Sequence, residues 1–243
     1  LDEKQEFLYF TKQLLKKIKL SDSDMQQIKD AVQKAESKTT GEIALALTAE
    51  SESYSFWELI ASICVSTIVF AILLPFASGI NNLYESHFWT QPIWFLPAFY
   101  VITSFVTILI AFAFMNVPCI DRIIIPKRVQ KTSVTNRAMR YFAESGVYET
   151  AEHSGILIFV SYMERQVRIV ADSGIASKIS QDLWNIIADD LAQGIKSGQT
   201  KEGFISAVEK CGQLLAENFP AHEENPNELS DGLAILDYTQ EEY

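Results

Sequence analysis

LIASICVSTIVFAILLPF at residues 59–76 and IWFLPAFYVITSFVTILIAFAFM at residues 93–115 contain no charged residue. A helix crossing a bilayer needs about 20 apolar residues at 1.5 Å rise each, so both runs are long enough. Only residues 77–92 separate them, which predicts a tight antiparallel hairpin within residues 56–115, with helices at about 57–76 and 93–115. Residues 1–55 and 116–243 are polar enough to be soluble and are expected on one common side of the membrane.

The side is read from charge. Of 20 Lys and Arg residues, eight precede residue 39 and twelve follow residue 121. The flank carrying Arg122, Lys127, Arg128, Lys131, Arg137 and Arg140 is placed in the cytoplasm by the positive-inside rule. The connecting loop, with Glu85 and His87, then faces outward. Trp57, Trp89 and Trp94 fall near the expected interfaces, where an amphipathic indole is favoured. Glu58, at the cytoplasmic mouth, is read as a snorkelling interfacial acid, with an intramembrane functional acid as the alternative. The expected home is the inner (plasma) membrane, with both termini and the soluble domain cytoplasmic. The chain begins with Leu1, not Met, which leaves room for a segment upstream.

The formal charge of −11 argues against a nucleic-acid partner, which would need clustered Lys and Arg to displace counterions from phosphates. Cys64, Cys119 and Cys211 have neither metal-ligand spacing nor the even count of a disulfide framework, and are expected reduced and buried.

Taken in order, residues 1–20 form an amphipathic basic helix. Phe7, Phe10, Leu14, Leu15 and Ile18 share one face, and Lys12, Lys16, Lys17 and Lys19 lie largely on the other. Such a helix suits the anionic leaflet, or packing on the domain or a partner. Ser21 with Asp24 has the form of a capping box opening a second helix, with Met25, Ile28, Val32 and Ala35 as its buried stripe. Residues 42–47 read as a short apolar strand. The chain then leaves for the hairpin and returns at Asn116, with residues 120–126 expected to hug the membrane surface and residues 134–145 expected to be helical. Residues 155–161, GILIFVS, form a continuous apolar run suited to a central strand covered on both faces. Residues 167–171 alternate as its hairpin partner, which Asp172-Ser-Gly174 closes. Two helices follow, with Gly194 and Gly198 marking the break between them. In the acidic tail, residues 221–243, the island Leu233-Ala-Ile-Leu236 suggests an edge strand. The order of elements is that of an α/β fold with a layered open sheet. A two-helix hairpin interrupts it and splits the domain into residues 21–55 and 116–220, which must assemble together because neither half has strands enough alone.

Several stretches resemble the TPM domain family: residues 35–43, AESKTTGEI; Arg137-Ala138 with Phe142; residues 154–161, SGILIFVS; Glu164-Arg165; residues 171–175, ADSGI; and residues 227–231, NELSD. The resemblance implies an α/β sandwich with membrane attachment. For some relatives it also implies weak acid phosphatase activity or divalent-cation binding. Those relatives place an acidic residue and Asn before the Gly that opens the long strand; here the positions read Glu152-His153-Ser154-Gly155. Many relatives carry the domain outside the cytoplasm, whereas the charge distribution of this chain puts it inside.

For hydrolytic chemistry, His153 and Asp172 are the candidate catalytic residues, and Glu42, Glu152 and Asp172 the candidate ligands of Ca2+ or Mg2+. Hard cations need several converging oxygens, and strand ends of an open α/β sheet are where such groups meet. No nucleophile elbow or Gly-rich phosphate cradle accompanies them. The sequence is therefore read first as a non-enzymatic, membrane-anchored module that binds, stabilises or helps assemble a membrane protein complex, without a cofactor. Its partners would be the bilayer and a membrane protein or a second copy, with Phe7, Phe10, Leu14, Trp57 and Trp94 as contact residues. The alternative is a weak metal-dependent phosphatase or divalent-cation-binding domain at the membrane surface.

Overall fold

The computed structural model describes residues 3–88, 92–115, 118–150, 153–221 and 228–237. They form two units, Leu1–Glu52 with Arg128–Tyr243, and Ser53–Lys127.

In the first unit, β1 (Glu42–Thr48) pairs in parallel with both β2 (Gly155–Ser161) and β4 (Leu233–Leu236), and β3 (Gln166–Ala171) runs antiparallel to β2. The sheet order is β3-β2-β1-β4, so the apolar island of the tail is indeed an edge strand. All seven residues of β1 and of β2 are buried, as expected of strands covered on both faces. Alternation sorts them. Ile43, Leu45 and Leu47 of β1 join Ile156, Ile158 and Val160 of β2 in the larger core. Ala44, Ala46, Leu157 and Phe159 form the opposite face with Val134, Ala138 and Phe142.

Helices cover both faces. α2 (Asp22–Glu36), α9 (Gln181–Ser197) and α10 (Thr200–Asn218) supply Ile28, Val32, Trp184, Ile187, Phe204 and Val208 to the larger core. The capping box opens α2 as its sequence predicts: the Asp24 amide donates to the Ser21 hydroxyl at 3.2 Å and the Ser21 amide to the Asp24 carboxylate at 2.9 Å. Replacing such a cap by Ala costs about 1 kcal/mol. α1 (Glu3–Ile18) buries Leu14 and Ile18 in the same core, so the basic helix packs on its own domain and Leu14 is not a free contact residue. Phe7 and Phe10 are half-buried. Gly198, with φ of 79°, ends α9, but Gly194 lies inside that helix, where a Cβ would stand 3.2 Å from the Gly203 Cα. It is a crossing point of α9 and α10 rather than a break.

The second unit contains the apolar runs. α3 (Ser55–Leu73) continues through a 3-10 turn (Leu74–Phe76) into α4 (Ala77–Glu85), and α5 (Phe95–Met115) is followed by the short α6 (Pro118–Ile124). By length and composition alone, the helical stretches Ser55–Glu85 and Phe95–Met115 can each cross a membrane. The connection is thus shorter than residues 77–92, because the helix does not stop at Pro75. The Ala77 amide turns to the Leu74 carbonyl, and the Leu73 carbonyl accepts from the Tyr100 hydroxyl at 3.1 Å. Ser62 and Ser66 are buried, and the Ser66 hydroxyl donates to the Ser104 carbonyl at 3.0 Å. Ile68, Ile72, Ile102 and Phe105 are exposed, as is Cys64, contrary to its expected burial. α7 (Lys127–Glu144) starts directly after Pro126, seven residues before the expected helix, since the residue before a proline is held out of the helical region.

Candidate functional site

The edge of the sheet where β1 and β2 begin carries two polar groups. The first is built around Gly155. A Cβ there would stand 2.2 Å from the Val147 carbonyl oxygen, so only glycine lets the turn Val147–Glu149 lie against the start of β2. The Gly155 carbonyl accepts from the Asp172 amide at 2.9 Å, which brings the end of β3 to the residues preceding β2. There the Nδ1 of His153 lies 3.2 Å from Asp172 Oδ2, while Asp172 Oδ1 accepts from the Ser173 amide and caps the one-turn helix α8 (Ser173–Ala176). Thus Asp172-Ser-Gly174 opens a helix rather than merely closing the strand pair.

The structure therefore brings the two candidates His153 and Asp172 into contact. Asp172 is buried and the imidazole is exposed. A carboxylate accepting from Nδ1–H holds the ring in the tautomer whose Nε2 points its lone pair at solvent, the arrangement of a base or of a ligand for an electrophile. His153 adopts φ of 51°, which is uncommon for a side-chain-bearing residue.

The second group joins α2, β1 and the segment before β4. Glu36 accepts from the Ile43 amide at 2.8 Å, Asp231 from Gln33 at 2.6 Å, and Glu42 from the Leu229 amide at 3.3 Å. Burial, reinforced by the neighbouring Glu42 and Asp231, pushes the Glu36 carboxyl up to about 8, against the amide of Ile43. Burial likewise raises Glu42. Glu36 escaped the sequence reading. Its signal was there: it lies four residues beyond Val32 and eight beyond Ile28, on the buried face of α2.

The candidate metal ligands do not gather. Glu42 is engaged with the Leu229 amide and Asp172 with Ser173 and His153, and Glu152 lies outside the described residues. Among the described residues, no three or more His, Cys, Asp or Glu side chains are placed to hold one metal ion. At the opposite edge of the sheet, Glu164 accepts from the Ser51 amide at 2.9 Å and from the Ser161 hydroxyl.

In the hairpin unit, Trp94 is 68% exposed just before α5, and Trp57 is half-buried near the start of α3. Trp89 lies outside the described residues. Glu58 is buried, and its Oε2 has no hydrogen-bond partner among the described residues, as is true of Asp121 Oδ1. Burial, then the charge of Glu58, pushes the Asp121 carboxyl up to about 6.

Residues 121–214, which include α7, β2, β3, α8 and α9, match the TPM domain family. No curated protein matches the chain. Among solved structures, the BA42 protein of the psychrophilic bacterium Bizionia argentinensis, determined by NMR, is similar with a TM-score of 0.51. The two are 19% identical over 89% of this chain and 94% of that one. At that identity the likeness is one of fold.

Proposed function

We propose that this chain is a membrane-anchored α/β module that binds, stabilises or helps assemble a membrane protein complex from the cytoplasmic face of the bilayer. The observation that carries the reading is the second unit, whose two long apolar helices turn Ser62, Ser66 and Tyr100 toward each other and leave Ile68, Ile72, Ile102 and Phe105 exposed. Lipid covers such faces, and a partner helix competes with lipid for them through packing. The carboxylates of the soluble unit fit this reading, because Glu42, Glu164 and Asp172 are engaged with backbone amides of the fold itself. Extraction in mild detergent without crosslinking, followed by mass spectrometry of co-eluting proteins, tests it. A stoichiometric membrane protein supports the proposal; a chain that elutes alone, or only with a second copy, removes the hetero-complex.

The His153–Asp172 contact at 3.2 Å favours a second reading, a weak phosphatase or divalent-cation-binding domain. Hydrolysis of p-nitrophenyl phosphate that is abolished in both His153→Ala and Asp172→Asn would establish it over the first. Activity unchanged in those variants would remove it.

A further inference from the structure

A cavity of about 610 Å³ opens at the edge of the sheet where β2 ends, lined by the last residues of α1 and α9 and by the turn between β2 and β3. Its walls include Val160, Val167 and Ile195, and its rim carries Lys17, Lys19, Arg165 and Lys196 against the single carboxylate of Asp189. None of the four cations forms an ion pair among the described residues, although the chain has a formal charge of −11. Mutual repulsion would scatter unpaired cations over an acidic surface; here three separate segments bring them to one opening.

The backbone holds two of them in place. Among the described residues, only Lys19, His153 and Arg165 have positive φ without being glycine, and Lys19 and Arg165 both line this cavity. Such conformations persist where the surrounding structure imposes them, and they concentrate at functional sites. The turn bearing Arg165 is so imposed. The Tyr162 amide donates to the Thr48 carbonyl at 3.0 Å and the Met163 amide to the Ala49 carbonyl at 2.8 Å. Glu164 is buried on Ser51 and Ser161. Lys19 is set over the end of α9, its Nζ 3.3 Å from where a Gly198 Cβ would lie. The cavity also lies at the carboxyl end of a parallel strand, the edge at which open α/β sheets bind ligands.

We propose that this cavity binds a phosphate-bearing anion, with Arg165 and Lys19 as its principal contacts and Lys17 and Lys196 closing around it. A guanidinium and an ammonium offer charge-assisted bonds to phosphate oxygens, and the apolar wall takes the organic part. The phosphate can come from a soluble phosphate compound or from an anionic lipid headgroup, either of which a membrane-anchored chain would meet.

The test is calorimetric titration of the full chain in a nonionic detergent with inorganic pyrophosphate and, separately, with dihexanoyl phosphatidylglycerol. The variants are Lys19→Gly with Arg165→Gly, since glycine accepts both backbone conformations and keeps the turn. The control, Lys12→Gln with Lys34→Gln, removes the same charge elsewhere. Saturable binding of one equivalent of either probe, weakened about tenfold or more in the glycine variant and less than about twofold in the control, is the expected result. Which probe binds identifies the source. Binding of neither probe at millimolar concentration, or equal weakening in variant and control, overturns the proposal.

Discussion

Glu36→Gln should stabilise this protein at alkaline pH and do little at acid pH. Glu36 is 7% exposed, accepts from the Ile43 amide at 2.8 Å and hydrogen-bonds to Asp231. Its carboxyl is raised from 4.5 to about 8, so the folded state keeps a proton that the unfolded chain releases. An acid with a raised folded value favours folding fully only below its unfolded value, and stability falls as pH rises from about 4.5 to about 8. At 1.36 kcal/mol per pH unit, the penalty is about 3 kcal/mol near pH 7 and under about 1 kcal/mol near pH 5. Glutamine retains an acceptor for Ile43 and a donor for Asp231 without the titration. For a domain of this size, about 2–4 °C per kcal/mol translates the gain into roughly 6–12 °C near pH 7. The reporter is Trp184, buried in the core of the soluble unit, with Trp57, Trp89 and Trp94 replaced by Phe. Thermal unfolding of both proteins at about pH 5 and pH 8 decides the matter. A Gln variant that is no more stable at the higher pH, or whose advantage is the same at both, would refute the reasoning.

Gly155→Ala should destabilise the soluble unit by about 1–3 kcal/mol, since its Cβ would meet the Val147 carbonyl oxygen at 2.2 Å; thermal unfolding by Trp184 fluorescence measures it. Asp172→Ala removes both the cap of α8 and the partner of His153, at a stability cost of about 1 kcal/mol in thermal unfolding followed by Trp184 fluorescence. Asp121, raised to about 6, makes the hairpin unit less stable as pH rises from about 4 through about 6, so Asp121→Asn should flatten that dependence in detergent. Phe204→Ala, at a fully buried position of α10, should cost about 3–5 kcal/mol in denaturant unfolding.

What was legible in the sequence follows the range of the interactions involved. The capping box at Ser21 and Asp24 and the apolar run at residues 155–161 are local patterns, and each forms where it reads. The tail island Leu233-Ala-Ile-Leu236 also became a strand, because a short apolar run in an acidic segment has only a sheet edge to cover it. The continuation of α3 into α4 was hidden by Pro75, which ends a helix by local rules but here sits in a 3-10 turn whose freed carbonyl is taken by Tyr100, 27 residues away. His153 and Asp172 were nameable because both flank strands that pair. The roles of Glu36, Glu58 and the four cations around the cavity were not, since burial of a charge and the meeting of α1, α9 and the β2–β3 turn are properties of the assembled chain.

The proposed membrane topology is tested most directly by cysteine accessibility. In a background lacking Cys64, Cys119 and Cys211, His87→Cys, just beyond α4, is compared in cells with Gln181→Cys at the start of α9. The account predicts that an impermeant maleimide labels position 87 in intact cells and position 181 only after permeabilisation. Labelling of position 181 in intact cells, or equal labelling of both positions before lysis, would contradict it.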